Sequence, residues 1–63
     1  MRDKARIEPT LAAVQAAWIA APDLRLGQLL LNAMRPSEDL YYMEDDMLLK
    51  RLSELAANIG RAT

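Results

Sequence analysis

Carboxylates are concentrated in one short stretch of this 63-residue chain. Residues 38–46 contain five of the nine acidic side chains and no basic one, so the local charge is −5. The acidic residues of this stretch are Glu38, Asp39, Glu44, Asp45 and Asp46. Carboxylates grouped in this way can cap a helix, coordinate a hard cation or contact a basic protein surface. The stretch, called the acidic stretch below, is the first candidate for a functional site.

Three uses of the acidic stretch compete. Asp45 and Asp46 precede a leucine-rich helical pattern, and acids in the first turn stabilise a helix by about 0.3–1 kcal/mol each. A magnesium or calcium site would need the calcium-loop spacing and its central glycine, which are missing, so we predict no metal ligands. In the third use, the carboxylates take the place of nucleic-acid phosphates on the basic surface of a protein partner.

Two tyrosines lie in the middle of the acidic stretch. Tyrosine is enriched at protein interfaces, so we expect one of them to contact a partner and the other to point into the core. The predicted partner-binding residues are Glu38, Asp39, Tyr41, Tyr42, Glu44, Asp45 and Asp46.

The composition argues against catalysis. The chain contains no histidine and no cysteine, which removes the commonest general base, the commonest zinc ligands and the cysteine nucleophile. We therefore predict a non-enzymatic protein with no catalytic residues and no cofactor.

Arg2, Lys4 and Arg6 are too few for strong phosphate binding, so direct nucleic-acid binding is not expected. The alanine-rich run 11–21 is shorter than the about 20 residues of a membrane span, so we expect a soluble protein. The absence of cysteine suits a reducing compartment, so we expect a cytoplasmic location.

The first element that must position these residues is a helix over the alanine-rich run. Ile7, Leu11, Val14 and Trp18 recur at spacings of four, three and four, which places them on one stripe of this helix. Alanine on the other faces allows a neighbour to approach closely. We expect Trp18 to fill the core, with its indole N–H bonded to a nearby carbonyl group.

The leucine-rich stretch 22–31 predicts the second helix. Pro22 should end the first helix and Asp23 should cap the second, which joins them in a tight antiparallel hairpin. This second helix is apolar over so wide an arc that it must lie between partners, in this chain or across a dimer interface. Gly27 is expected to allow close approach of a neighbour, and Gln28 to have a structural use.

A third helix is predicted from about residue 44 to Gly60. Its leucines share one face, and Lys50, Arg51 and Glu54 are placed on the opposite, solvent face. The sequence thus predicts an all-α, compact three-helix domain over residues 1–63, in which a helical hairpin is covered by an amphipathic third helix that closes over the leucine-rich one. Residues 1–6 are a candidate flexible arm. A chain this short buries only about 60% of its unfolded surface, so self-association is also expected.

A family resemblance lies mainly in residues 18–28, which read Trp-x-x-x-Pro-Asp-Leu-x-Leu-x-Gln. Together with Arg6, Gln15 and the acidic pair Asp45-Asp46, this block resembles the YihD-like family of small bacterial proteins. The resemblance implies a small helical domain. It implies no function, because the members of the family are uncharacterised, and the chain lacks the C-terminal extension expected in the family.

A second similarity is one of type. A very short, cysteine-free helical chain with an acidic face is similar in kind to the anti-CRISPR proteins of phages, several of which occupy the basic DNA-binding surface of an effector complex. We therefore expect an inhibitor that binds a basic protein surface through the acidic stretch, in the cytoplasm of the host cell if a phage encodes it. The alternative is a structural or assembly module of YihD-like type that forms a homodimer through apolar surface such as Ile19 and Met47.

Overall fold

Three α-helices form the fold. The structure is a computed structural model that describes the backbone of residues 2–62 and the side chains of residues 2–59. The helices are α1 (Ile7–Ala20), α2 (Leu26–Ala33) and α3 (Asp45–Ala62). Single 3₁₀ turns at Lys4–Arg6 and Leu40–Tyr42 precede α1 and α3, and no strand occurs among the described residues. The predicted all-α three-helix fold is confirmed, and α3 continues past Gly60, where its end was expected.

The connection between α1 and α2 differs in detail from the prediction. The backbone N–H of Ala21 donates to the carbonyl oxygens of Ala17 and Trp18, which closes α1 just before Pro22. The N-cap of α2 is Arg25, and its backbone N–H donates to the Gln28 side-chain oxygen at 2.9 Å. The structural use of Gln28 is thereby confirmed. The prediction that Asp23 caps α2 is wrong, because α2 begins three residues after it.

The core lies where α3 crosses the other two helices. Its buried side chains are Ala17 of α1, Leu29 and Ala33 of α2, and Leu52 of α3. α3 packs over α2 as expected, but its larger interface is with α1, and the interface between α1 and α2 is the smallest of the three. Alanine explains this arrangement, because Ala17 lets the α3 backbone come close enough for Leu52 to be fully enclosed.

Apart from Val14, which packs against this core, the large apolar side chains of α1 lie away from it. Ile7 and Leu11, on the stripe recognised in the sequence, are exposed, and the Trp18 side chain is 37% exposed. The Trp18 indole N–H donates to the carbonyl oxygen of Leu24 at 2.8 Å, which confirms the predicted hydrogen bond. The prediction that Trp18 fills the core is wrong, because its ring covers the loop between α1 and α2 instead.

The leucine-rich helix α2 is covered on one side only. Leu29 is fully buried and Leu30 partly buried, whereas Leu26 and Leu31 are exposed. The expectation that this helix lies between partners is therefore not met within the chain, because α3 and, over a smaller interface, α1 cover only the side with Leu29. Despite the leucine content, no helix in the described part of the chain has the length and apolar character that crossing a membrane requires.

Gly27 of α2 is a site where the fold can be made more stable. Apart from its chain neighbours and the backbone of its own helix, a methyl group built on it would have no atom within 4 Å, and its φ is not positive. The expected close approach at Gly27 is therefore wrong. We expect Gly27→Ala to raise the free energy of unfolding by about 0.5–1 kcal/mol, because glycine is the poorer helix former.

Urea denaturation of Gly27→Ala measures this gain. Gly27→Ser is the matched control and should give a smaller increase, since serine has a helix propensity between those of glycine and alanine. An alanine variant less stable than the wild type would show that α2 needs the glycine for a reason other than space.

Candidate functional site

The acidic stretch forms the connection between α2 and α3 and the first turn of α3. Glu38 closes a turn with Arg35: the Arg35 N–H donates to the Glu38 carboxylate at 2.8 Å, and the Glu38 N–H donates to the Arg35 carbonyl at 2.9 Å. The Asp39 carboxylate accepts the backbone N–H of Tyr41 at 3.0 Å and so caps the 3₁₀ turn. Two of the predicted site residues thus fix the backbone of this connection.

Glu38 also forms a two-pronged ion pair with Arg51 of α3. The Arg51 Nε and Nη2 groups donate to the Glu38 carboxylate at 2.6–3.0 Å, and Nη1 donates to Glu54 at 3.1 Å. Arg51 is only 7% exposed. The prediction that Arg51 lies on the solvent face of the third helix is wrong, because the loop after α2 folds over it and supplies its carboxylate partner.

These contacts shift the pKa values of Glu38 and Arg51 in opposite directions. Hydrogen bonds from the Arg51 side chain, followed by the backbone N–H of Arg35, lower the pKa of Glu38 from 4.5 to about 2. The hydrogen bond to Glu38 in turn raises the pKa of Arg51. Charge-assisted, bidentate pairs of this kind are among the strongest polar contacts in proteins. Glu38 therefore has a structural role, and its carboxylate is already paired with Arg51.

Two further acids are bound by the N-terminal segment. Arg2 Nη2 lies 3.2 Å from the Glu44 carboxylate, and Arg6 Nε lies 2.5 Å from that of Asp45. Asp3 caps the 3₁₀ turn between the two arginines by accepting the Ala5 N–H at 2.9 Å. Residues 2–6, considered a candidate flexible arm, are thus attached to the start of α3; Met1 lies outside the described residues. Each pair is at the surface and adds about 0–1 kcal/mol.

The acidic stretch consequently carries less charge than its sequence indicates. Arginines neutralise Glu38, Glu44 and Asp45, so the charge of −5 falls to −2 when the three partners are counted. Asp39 and Asp46 have no ion-pair partner among the described residues. Asp46 accepts the Met47 N–H at 2.8 Å in the first turn of α3. The stretch does not present a row of five free carboxylates.

The two tyrosines are the most exposed large side chains of the site. Tyr41 is 86% exposed and Tyr42 is 77% exposed, and their rings meet edge to face with centroids 4.9 Å apart. The expectation that one of them points inward is wrong. A 3₁₀ helix has three residues per turn, so Leu40 and Met43 lie on the same side. These two are partly buried, which directs both tyrosines to solvent.

The arrangement offers groups that can bind another molecule. Within the described residues, no group of three or more carboxylates comes close enough to hold a metal ion. A shallow cleft beside Tyr41 and Glu44 is lined also by Arg2, Arg6, Met43 and Asp45. It contains an aromatic ring, two carboxylates and two guanidinium groups, which bind by stacking and hydrogen bonding.

Sequence reasoning missed the arginines of the site. Arg2, Arg6 and Arg51 contact the acidic stretch, but the residues joined are 42, 39 and 13 positions apart. A charge pattern indicates that such pairs are available, whereas only the fold selects among them.

Comparison of the chain with protein-family models, with curated proteins and with solved structures gives no match.

Proposed function

We propose that this chain is a non-catalytic protein-binding module that attaches to a basic surface of another protein through its tyrosine surface. The tyrosine surface consists of Tyr41 and Tyr42 with the flanking carboxylates Asp39 and Glu44. Where the basic surface otherwise holds nucleic acid, its occupation inhibits the partner, which is the anti-CRISPR mode of action. The proposal rests on two neighbouring tyrosines, Tyr41 and Tyr42, whose exposed fractions are 86% and 77%.

The exposure of this pair points to an interface. A tyrosine ring offers a large contact area at a low cost in conformational entropy, and tyrosine is over-represented among the residues that dominate binding energies. Asp39 fixes the turn that carries both rings through its bond to the Tyr41 N–H. The rings are therefore presented in a set geometry before a partner arrives, which reduces the entropy lost on binding.

The flanking charges favour a basic partner. Asp39 and Glu44 border the rings on both sides in sequence, and both are exposed. Glu44 contacts Arg2, but both side chains of that pair are 64% exposed, so a lysine or arginine of a partner can replace Arg2 at little cost. Carboxylates at the edge of an interface mainly raise the association rate and select against acidic partners.

DNA binding by a panel of purified CRISPR effector complexes provides the test. We expect the wild-type chain to block target-DNA binding by at least one complex. The double variant Tyr41→Ser/Tyr42→Ser should weaken that inhibition by about 30- to 800-fold, because the two interface tyrosines contribute about 1–2 kcal/mol each and 1.4 kcal/mol is tenfold. Glu44→Gln should have a smaller effect that fades at high salt.

The matched control is Lys50→Ala, which changes an exposed side chain on α3 outside the tyrosine surface. It should inhibit as the wild type does. Circular dichroism should show the same helix content for all variants, since the changed side chains are exposed. Inhibition that survives loss of both tyrosines, or a panel in which no complex is inhibited, would contradict the proposal.

A further inference from the structure

Helix α1 is apolar on two sides, and only one of them is used by the fold. Its alanine side, with Ala17 fully buried, packs on α3. The outer face of α1, defined here by Ile7, Leu11, Gln15, Trp18 and Ile19, is exposed, with Leu11 at 60% and Ile19 at 68%. Exposed leucine, isoleucine and tryptophan on one helix in so small a chain indicate a surface that is covered by a partner.

The outer face of α1 carries a shallow groove without charge. Leu11, Val14, Trp18, Ile19 and Pro22 line it, with Gln15 as its polar member, and its volume is about 400 Å³. A nucleic acid or a strongly charged protein would find no complementary charge here. Two copies of this chain can meet at this groove without bringing like charges together inside it, because Glu8, the charged residue of α1, does not line it.

We propose that a second copy of this chain packs on the outer face of α1, so that two α1 helices pair about a two-fold axis. The core of a single copy is small, which is a reason for two copies to associate. Among the described residues, the large side chains that are fully buried are Leu29 and Leu52. A 63-residue chain without cysteine has no disulfide to supplement such a core, and self-association is a usual substitute.

The size of the face limits the area that the pairing can bury. The 14 residues of α1 extend over about 21 Å, so a helix-to-helix contact covers a few hundred Å² on each copy. A stable dimer buries about 800 Å² per partner, roughly a sixth of the 4982 Å² surface of this chain. Interfaces smaller than this are typical of weak and transient complexes, so we expect a dimer that forms only at high concentration.

Analytical ultracentrifugation from about 5 μM to 1 mM tests this proposal. The average mass of the wild type should rise toward that of a dimer, and Leu11→Gln/Ile19→Gln should raise the dissociation constant at least tenfold. Leu31→Gln is the matched control, because Leu31 is 63% exposed but belongs to α2. It should associate as the wild type does. Neither change touches Tyr41 or Tyr42, so the proposed function is tested separately.

Fluorescence of Trp18, the single tryptophan of the chain, gives a local readout. Its emission should shift to shorter wavelength with concentration in the wild type and in Leu31→Gln, but not in Leu11→Gln/Ile19→Gln. Gln15→Glu, which places like charges in the paired groove and removes no apolar group, should also weaken association. A wild type that stays monomeric to 1 mM, or association unaffected by the α1 variants, would overturn the proposal.

Discussion

The variant Leu29→Ala is expected to be mostly unfolded at 25 °C, with unfolded molecules outnumbering folded ones. Leu29 is fully buried and contributes to the core with Ala33 and Leu52. Removing a buried leucine side chain costs about 2–5 kcal/mol, which includes the cavity that remains. A domain of this size rarely has more than about 3–5 kcal/mol of stability in total, so the loss is comparable to all of it.

The neighbouring Leu31→Ala is the matched control, since it removes the same atoms from the same helix. Leu31 is exposed, so its truncation should change stability by less than about 0.5 kcal/mol. Thermal unfolding followed by circular dichroism, at a few micromolar to limit self-association, compares the variants. Equal losses of stability for the two would contradict the arrangement of α2 described here.

The three helices could be predicted because their signals are local. Apolar spacing, Pro22 after α1 and the Arg35–Pro36 break after α2 are properties of neighbouring residues. Their positions in the structure agree with these signals to within a few residues. The start of α2 could not be located as well. Asp23 and Gln28 both offer cap chemistry, and only the path of the loop decides that Gln28 bonds the Arg25 N–H.

Which side of α1 faces the core could not be predicted, because both sides are apolar. Periodicity selects the stripe with Ile7 and Leu11, whereas the structure buries Ala17. The choice follows from the partner helix: Leu52 and its neighbours on α3 fill the space that a small residue leaves. Large residues on α1 would keep the two helices apart.

The block that resembles the YihD-like family has a local structural explanation. Trp18 bonds the Leu24 carbonyl, Pro22 follows the end of α1, and Gln28 caps α2. These residues form the turn between α1 and α2 and lie outside the proposed tyrosine surface. A motif of this kind indicates how the chain folds, and the family membership stays a prediction.

The acidic stretch was found in the sequence because charge density is visible there. The ion pairs of this stretch could not be predicted, since the side chains that neutralise Glu44 and Asp45 come from the other end of the chain. The same limit applies to Arg51. Helical periodicity places it opposite the leucines, and its burial depends on where the loop with Glu38 comes to lie.

Acid should destabilise the wild type between about pH 4.5 and pH 2 through Glu38. The pKa of Glu38 is lowered from 4.5 to about 2 by its bonds to Arg51 and to the Arg35 N–H. In this pH range the unfolded chain takes up a proton at Glu38 and the folded chain does not. The stability due to this carboxylate is thus fully present above pH 4.5, decreases as the pH falls, and is lost below pH 2.

Urea denaturation at pH 6 and pH 3 measures this contribution. Glu38→Gln should be less stable than the wild type at pH 6 and should lose less stability between pH 6 and pH 3, because the titrating group is gone. Arg51→Met should behave similarly, since it removes the guanidinium group that stabilises the ionised form of Glu38. Glu54→Gln is the control, as it removes the other acid bonded to Arg51 and keeps the Glu38 pair. It should retain the pH dependence of the wild type. Equal losses for the wild type and Glu38→Gln would show that the pair with Arg51 is not maintained in solution.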